Sequence, residues 1–125
     1  MHENWISEKI IGAAITVHKE LGPGLLESSY EECLYFELVQ SGLYVEKQKP
    51  IPLFYKGVNL DCGYRIDLMV EGKVIVEVKA VENFHNIHLA QIMTYLKLAK
   101  IKLGLLMNFN ELMLKNGVNR IVNKL

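Results

Sequence analysis

Residues 64–79 read YRIDLMVEGKVIVEVK, and this stretch decides the fold of the chain. Two arms rich in apolar and β-branched residues flank a short polar break that contains a glycine, which is typical of a β-hairpin. A three-residue loop at 71–73 leaves one face of the hairpin wholly apolar. The pairs predicted on that face are Val70 with Val74, Leu68 with Val76, and Ile66 with Val78. A slip by one residue would mix apolar and polar side chains on both faces, so this register is favoured.

The same register carries a cost on the opposite face of the hairpin. The pairs predicted there are Met69 with Ile75, Asp67 with Glu77, and Arg65 with Lys79. Directly opposed side chains have Cβ atoms roughly 5 Å apart, and two like charges at that distance destabilise a sheet. A cation between the two carboxylates would remove this penalty. The pattern therefore predicts a metal site at Asp67 and Glu77, with Lys79 beside it.

Length and charge limit the classes of protein that fit this chain. Its 125 residues, half of them apolar, suit one globular domain with its own core. Lys plus Arg and Asp plus Glu each number 14, so the formal net charge is zero. A neutral chain has no overall field that would attract a nucleic acid or an anionic membrane. Any polyanion would have to be held by a local patch.

The cysteines and the N-terminus favour a cytoplasmic protein. Cys33 and Cys62 fit neither a disulfide framework nor the ligand spacing of a zinc site. Residues 1–5 lack the basic start and apolar stretch of a signal peptide. No apolar run is long enough to span a bilayer. We therefore expect a reducing cytoplasm and no membrane partner.

The rest of the chain alternates between helical and strand patterns, without a repeat, linker or low-complexity tract. Apolar residues at helical spacing predict helices at 5–21, 25–41 and about 87–99. Strand character is found at 44–60, where Pro50 and Pro52 indicate an edge or irregular strand, in the hairpin, at Lys102–Phe109, and in a short element at 117–122. The expected order is α-α-β-β-β-β-α-β with a final strand, in one mixed α/β or α+β domain over residues 1–125.

The hairpin acids have the chemistry of a magnesium or manganese site. These ions prefer oxygen ligands, and Mg²⁺ is often held by one or two carboxylates together with water and substrate phosphate. Asp67, Glu77 and the backbone carbonyl of Val78 can supply such ligands. Lys79 lies two residues beyond Glu77 on the same strand face, where it would orient or activate an attacking water or stabilise charge on phosphorus. The competing interpretation is an ordinary solvated sheet face with alternating charge.

A second candidate acid lies in the first turn of the second predicted helix. Glu27 follows the Gly24 turn, at a position where a carboxylate is stabilised by the helix dipole. That dipole is a sufficient explanation for Glu27 considered alone. Glu31 and Glu32 further along the helix are expected to be solvated helix acids.

A third candidate group lies on the last predicted helix. Gln91 and Tyr95 are four residues apart on one face, and His88 extends their stripe by one turn. The stripe can line a cleft, where Gln91 and Tyr95 would hold a phosphate or a ligating carboxylate. A half-buried helix flank is the competing interpretation. His85 and His88 lack a third ligand at zinc spacing.

Two of these patterns resemble motifs of a known superfamily. Asp67 followed by Glu77-Val78-Lys79 on the next strand resembles the PD-(D/E)XK nuclease pattern, with Ile66 in place of the proline. Gln91 and Tyr95 resemble the Gln-x-x-x-Tyr motif of the branch related to bacterial recombination and exonuclease domains.

A third motif narrows the resemblance further. Gly24, Glu27 and Tyr30 fit the Gly-x-x-Glu-x-x-Tyr signature of a small family of bacterial proteins named for it. The segments Leu21–Gly24, Tyr55–Gly57 and Asn108–Asn110 are also similar. The three motifs occur in the expected order and the resemblance covers nearly the whole chain.

The resemblance implies a restriction-endonuclease-like fold, with a central mixed β-sheet and helices on both sides. It implies that Glu27, Asp67 and Glu77 bind the metal, that Lys79 is the catalytic lysine, and that Gln91 and Tyr95 support the site. Gln48, on the strand before the hairpin, is a weaker candidate for lining it. The implied reaction is Mg²⁺- or Mn²⁺-dependent hydrolysis of a phosphodiester by water attacking phosphorus in line.

The sequence leaves three functions open. The leading hypothesis is a nuclease acting on nucleic acid, with DNA favoured over RNA, and a homodimer is one way for a small neutral chain to wrap its substrate. The second is a non-catalytic module that binds nucleic acid or protein and retains the site, which the neutral charge supports. The third is a metal hydrolase acting on a smaller phosphate ester.

Overall fold

The computed structural model describes residues 1–125, which form three α-helices and seven β-strands. The elements in chain order are α1 (Glu3–Leu21), α2 (Glu27–Gln40), β1 (Val45–Pro50), β2 (Leu53–Tyr55), β3 (Val58–Leu60), β4 (Arg65–Val70), β5 (Val74–Lys79), α3 (Asn86–Ala99), β6 (Leu103–Asn108) and β7 (Val118–Val122). A short 3-10 helix, Leu114–Gly117, precedes β7. Five strands separate α2 from α3, one more than the expected order, because β2 and β3 form a separate small hairpin.

A five-stranded mixed sheet forms the centre of the protein, in the order β1-β4-β5-β6-β7. Only β5 and β6 are parallel, and α3 makes the crossover between them. Helices cover both faces of the sheet, which confirms the predicted fold class. The predicted hairpin register is confirmed for Val70 with Val74, Met69 with Ile75, and Leu68 with Val76.

The pairing of β4 with β5 ends at Leu68 and Val76, two residues earlier than the sequence predicts. The predicted pairs Ile66 with Val78, Asp67 with Glu77, and Arg65 with Lys79 are wrong. Ile66 packs in the core beneath α3, whereas Val78 packs in the core beneath α1 and α2. The two strands separate because acidic side chains take the hydrogen bonds that a regular ladder would give to backbone carbonyls.

Two apolar cores hold the sheet between the helices. One core lies beneath α1 and α2, and its main members are Ile6, Ile10, Leu34, Leu38, Leu68, Val70, Val74, Val76, Val78, Leu103, Leu105 and Met107. The other lies beneath α3, and its members are Ile51, Ile66, Met69, Ile75, Ile92, Tyr95, Leu96 and Leu106. The strands β5 and β6 are buried on both faces, which explains their nearly continuous apolar sequence.

The turn between α1 and α2 is fixed by a buried tyrosine. Gly22 ends α1 with a φ of 68°, and its N–H donates to the carbonyl of His18. The hydroxyl of Tyr30 donates to the carbonyl of Gly22 at 2.6 Å and accepts from the N–H of Leu25 at 3.0 Å. Its ring stacks on Phe109, with centroids 4.7 Å apart. Tyr30 of the Gly-x-x-Glu-x-x-Tyr motif therefore positions the start of α2.

None of the helices has both the length and the apolar character needed to cross a membrane.

The first prediction concerns the close packing of the 3-10 helix against the end of β6. A Cβ added at Gly117 would lie 2.4 Å from the carbonyl oxygen of Asn108, whereas one added at Gly12, on the exposed side of α1, meets nothing within 4 Å. We expect Gly117→Ala to lower the free energy of unfolding by about 1–3 kcal/mol. The control Gly12→Ala should raise it by about 0.5–1 kcal/mol. Urea unfolding measures both, and equal changes of the same sign would contradict the packing described here.

Candidate active site

Two acidic side chains cross between the separated strands β4 and β5. The backbone N–H of Asp67 donates to Oε2 of Glu77 at 2.8 Å. The backbone N–H of Val78 donates to Oδ2 of Asp67, also at 2.8 Å. Each carboxylate thus satisfies an amide of the opposite strand that the interrupted ladder leaves unpaired. The predicted juxtaposition of the two acids is present, but crossed side-chain bonds replace direct pairing.

Burial raises the pKa of both acids. Only 4% of the Glu77 surface is exposed, and this burial together with the nearby charge of Asp67 raises the pKa of Glu77 to about 8. Burial also raises the pKa of Asp67, while the hydrogen bond from Val78 opposes the increase. A carboxylate pair that repels itself in a poorly solvated position is the arrangement that a divalent cation relieves.

Gln48 joins the crossed pair to helix α2. Its side-chain amide donates to both carboxylate oxygens of Glu31, at 3.0 and 2.9 Å, and to Oδ1 of Asp67 at 3.3 Å. The backbone of Gln48 has a φ of 51°, in the left-handed region that is costly for a residue with a side chain. Its neighbours Lys47 and Lys49 still pair with β4, so the distortion is confined to the residue opposite Asp67.

The helix acid beside Asp67 is Glu31. Both carboxylates accept from the same Gln48 amide, Glu31 is half-buried, and burial raises the pKa of Glu31 above its ordinary value. The expectation that Glu31 is a solvated helix acid is therefore wrong. Glu27, one turn earlier on the same helix face, accepts a hydrogen bond from the N–H of Ala80 at 3.1 Å. The spacing of four residues between Glu27 and Glu31 was the available sequence signal.

Lys79 supplies positive charge to this group without forming a close ion pair. Its charge opposes the rise that burial causes in the pKa of Asp67 and of Glu77. The pKa of His88 is lowered, first by burial and then by the charge of Lys79. The ion pairs within 4.0 Å all involve other cations: they are Lys47–Glu32, Lys49–Glu46 and Arg65–Asp61. The Lys79 ammonium is therefore near the acids and also free to meet a ligand.

The two candidates on α3 have different environments. Tyr95 is buried, and its pKa is raised by burial and then by the charge of Glu77. Gln91 is exposed and makes no hydrogen bond to the acids. It lines a cleft of about 290 Å³ that also contains Tyr64 and Tyr95.

A buried asparagine holds the chain that leaves β5. Oδ1 of Asn108 accepts from the N–H of Val81 at 3.1 Å, and its Nδ2 donates to the carbonyl of Val81 at 2.8 Å. The N–H of Phe109 donates to the carbonyl of Lys79 at 2.8 Å. These three bonds fix the backbone on both sides of Ala80. The residue pattern at Asn108–Asn110 indicates similarity to a family but no role for Asn108, because its partners at Val81 are distant in the chain.

The residues fit a hard divalent cation, although no three acids, histidines or cysteines converge on one point. Asp67 and Glu77 each use one carboxylate oxygen for a backbone amide. Oε1 of Glu77 remains for another partner, and Oδ1 of Asp67 accepts only the 3.3 Å bond from Gln48. Mg²⁺ commonly takes only one or two protein carboxylates, with water and substrate phosphate completing its shell. An oxygen-only donor set with self-repelling acids matches this chemistry.

Comparison with known proteins supports one family. A family model described as the PD-(D/E)XK nuclease superfamily matches residues 4–121, nearly the whole chain. No curated protein and no solved structure matches it. The matched range contains every residue of the candidate site, and the mixed sheet flanked by helices is consistent with a restriction-endonuclease-like fold.

The raised pKa of Glu77 predicts a pH-dependent stability in the presence of a chelator. Between the ordinary pKa of 4.5 and the folded value of about 8, the unfolded chain loses the Glu77 proton first. Protonation of Glu77 therefore stabilises the folded state fully below pH 4.5, and this stabilisation is lost as pH rises toward 8. We expect Glu77→Gln to remove this component, whose slope is at most about 1.4 kcal/mol per pH unit.

Urea unfolding of both proteins from acid to mildly alkaline pH measures the effect. Glutamine keeps an oxygen that can accept from the Asp67 amide, so the variant preserves the fold while removing the titration. As pH increases, the free energy of unfolding of Glu77→Gln should rise relative to that of the wild type. Parallel pH profiles for the two proteins would contradict the buried, self-repelling pair.

Proposed function

Because the chain belongs to the PD-(D/E)XK nuclease superfamily, we propose that it is a divalent-metal-dependent nuclease that hydrolyses phosphodiester bonds of nucleic acid. One observation carries the proposal: Asp67 and Glu77 are held together by crossed backbone bonds while the charge of Lys79 acts on both. Structural ion pairs neutralise their charges locally, whereas this group retains excess negative charge and a lysine without a close partner. That arrangement suits a cation and a phosphate.

The metal ligands that we propose are Asp67, Glu77 and the backbone carbonyl of Val78, with a helix acid completing the set. A bound Mg²⁺ or Mn²⁺ would supply Lewis acidity to the phosphate and lower the pKa of water. The rigid strands β4 and β5 hold both carboxylates. The backbone amides of Asp67 and Val78 donate to these carboxylates and fix their orientation. Little reorganisation is then needed when substrate binds.

We assign Lys79 to the phosphate. Hydrolysis forms one bond from a water oxygen to phosphorus and breaks one bond from phosphorus to an ester oxygen, while a proton leaves the water and one reaches the departing oxygen. Negative charge accumulates on the phosphate oxygens during this exchange, and an ammonium group with three donors stabilises it. The bond from Phe109 N–H to the Lys79 carbonyl and the Asn108 clamp hold the backbone from which Lys79 extends.

The remaining assignments follow the motifs. We propose Tyr95 as a group that contacts substrate or ligating carboxylate near Glu77, and Gln91 as a contact at the cleft. Membership of the Gly-x-x-Glu-x-x-Tyr family is proposed on Gly24, Glu27 and Tyr30. We retain DNA over RNA as the substrate and the homodimer as the proposed assembly. A cytoplasmic setting is supported by the two free cysteines, Cys33 and Cys62.

One alternative has a specific observation in its favour. The formal net charge of zero provides little long-range attraction for a polyanion, which suits a non-catalytic binding module with an inherited site. The crossed acids favour the nuclease, because a module that no longer needed a cation would gain stability by losing the buried Glu77 carboxyl. Calorimetric titration with Mn²⁺ discriminates the two, since the module has no requirement for binding at Asp67 and Glu77.

The central prediction is that Lys79→Ala abolishes cleavage. We expect a loss of roughly hundredfold or more in the rate at which Mn²⁺-loaded protein cuts single- and double-stranded DNA or RNA. Lys73→Ala is the matched control, because Lys73 lies in the hairpin turn at the other end of β5 and its ammonium donates to the carbonyl of Met1. It should retain wild-type activity. Wild-type protein no more active than Lys79→Ala would refute the nuclease assignment.

A further prediction separates the two helix acids. Glu31 shares Gln48 with Asp67, whereas Glu27 is engaged by the Ala80 amide. We expect Glu31→Gln to weaken Mn²⁺ binding more than Glu27→Gln, by roughly tenfold as for other groups that orient a ligand. Isothermal titration calorimetry of the three proteins makes the comparison. The reverse ranking would show that Glu27 turns toward the metal on binding, as the family resemblance implies.

A further inference from the structure

A small arm leaves the candidate site and returns to it. We define the arm as residues 49–65, which contain the β2–β3 hairpin outside the central sheet. It begins directly after Gln48 and ends two residues before Asp67, and the side chains of these two residues are 3.3 Å apart. The base of the arm is therefore part of the acid cluster. Anything bound along the arm is directed toward Asp67.

An apolar and aromatic surface runs along the arm. Leu53 pairs with Leu60 and Tyr55 with Val58, so these four side chains share one face of the small hairpin. Leu53 lines the 290 Å³ cleft together with Tyr64 and Tyr95. The surface therefore extends from Tyr95 in the cleft to the tip of the arm. We call it the arm surface, and its aromatic members are Tyr55, Tyr64 and Tyr95.

Two of the three aromatic rings of the arm surface are exposed to a ligand, and Tyr95 is buried behind them. Tyr55 is 57% exposed and Tyr64 is 43% exposed. The Tyr64 ring lies 6.2 Å from that of Tyr95 and tilted to it by 59°, so the two form a corner rather than a closed stack. Such a corner can receive a flat group against one ring while the edge of the other contacts it.

The charge of the arm complements a phosphate backbone. Residues 49–65 contain three basic residues, Lys49, Lys56 and Arg65, and one acidic residue, Asp61. The formal charge of the arm is therefore +2, within a chain whose formal net charge is zero. Lys49 forms an ion pair with Glu46 and Arg65 lies 4.0 Å from Asp61, so Lys56 is the arm cation without an acidic partner. The Lys56 ammonium lies 5.4 Å from the centre of the Tyr55 ring, so one exposed position offers both a cation and an aromatic face.

These observations identify the form of nucleic acid that the site takes. A duplex hides its base faces and is bound through many phosphates, which requires a broad basic surface that this neutral chain lacks. An unpaired strand offers its base faces to aromatic side chains, and few cations are then needed. We propose that the arm surface binds an unpaired strand by stacking bases on Tyr55 and Tyr64, and so makes single-stranded nucleic acid or an unpaired end the substrate of the proposed nuclease, on whose activity this substrate assignment rests.

Fluorescence anisotropy tests the proposal without requiring cleavage. The full chain, in chelator and at one salt concentration, is titrated into a labelled single-stranded oligonucleotide of about 12 nucleotides and into its duplex. Tyr55→Ala should weaken single-strand binding by roughly tenfold. Tyr55→Phe keeps the ring and should retain wild-type affinity. Tyr44→Ala is the matched control, because Tyr44 is 63% exposed but lies beside Glu71, at the opposite end of the β4–β5 hairpin from the acids.

Each outcome has a defined consequence. Tighter binding of the duplex, or equal affinities for Tyr55→Ala and Tyr44→Ala, overturns the proposal. A dimer that Tyr55→Ala dissociates in light scattering, with single-strand binding unchanged, also overturns it and assigns the arm to a second copy. Cleavage in Mn²⁺ without dependence on Tyr55 leaves the nuclease intact and rejects the arm surface. Tyr55-dependent binding without any cleavage supports the arm surface and rejects the nuclease.

Discussion

The crossed bonds between β4 and β5 are the constraint on which the site depends. A regular antiparallel ladder would pair Asp67 with Glu77 and leave two charges repelling each other on one face. Ending the ladder at Leu68 and Val76 frees two amides, and the carboxylates satisfy them. The strands can separate there because Ile66 and Val78 each find a core on opposite sides of the sheet. Packing therefore stabilises an arrangement that electrostatics alone would oppose.

The surrounding elements hold this local arrangement through contacts with the backbone or with the acids themselves. Tyr30 fixes the turn from which α2 starts, so that Glu27 and Glu31 face β4 and β5. Gln48 has an unfavourable left-handed backbone conformation, and its side-chain amide donates to both Glu31 and Asp67. Asn108 fixes the chain beyond Lys79 from the other side. A strained residue and buried acids gathered in one place are typical of a functional site rather than of a stabilising network.

The position of the arm links the chemistry of the site to its surroundings. Residues 49–65 lie between Gln48 and Ile66, so the segment with the exposed aromatic rings is joined to Gln48 at one end and to the strand that carries Asp67 at the other. Tyr95 links the two regions, because the charge of Glu77 contributes to its raised pKa and its ring lies 6.2 Å from that of Tyr64. A neutral chain can in this way hold a charged polymer through a local surface instead of an overall field.

The mixed α/β class, three of the hairpin pairs and the proximity of Asp67 to Glu77 were predictable from the chain's residue pattern. These features follow from alternation along neighbouring strands and from local turns, which act over a few residues. Four features became visible only in the folded protein. They are the end of the β4–β5 pairing, the link from Glu31 to Asp67, the left-handed backbone of Gln48, and the hydrogen bonds of Asn108 to Val81. These features depend on contacts between elements far apart in the chain and on which of the two cores buries Ile66 and Val78. A local residue pattern does not predict such contacts.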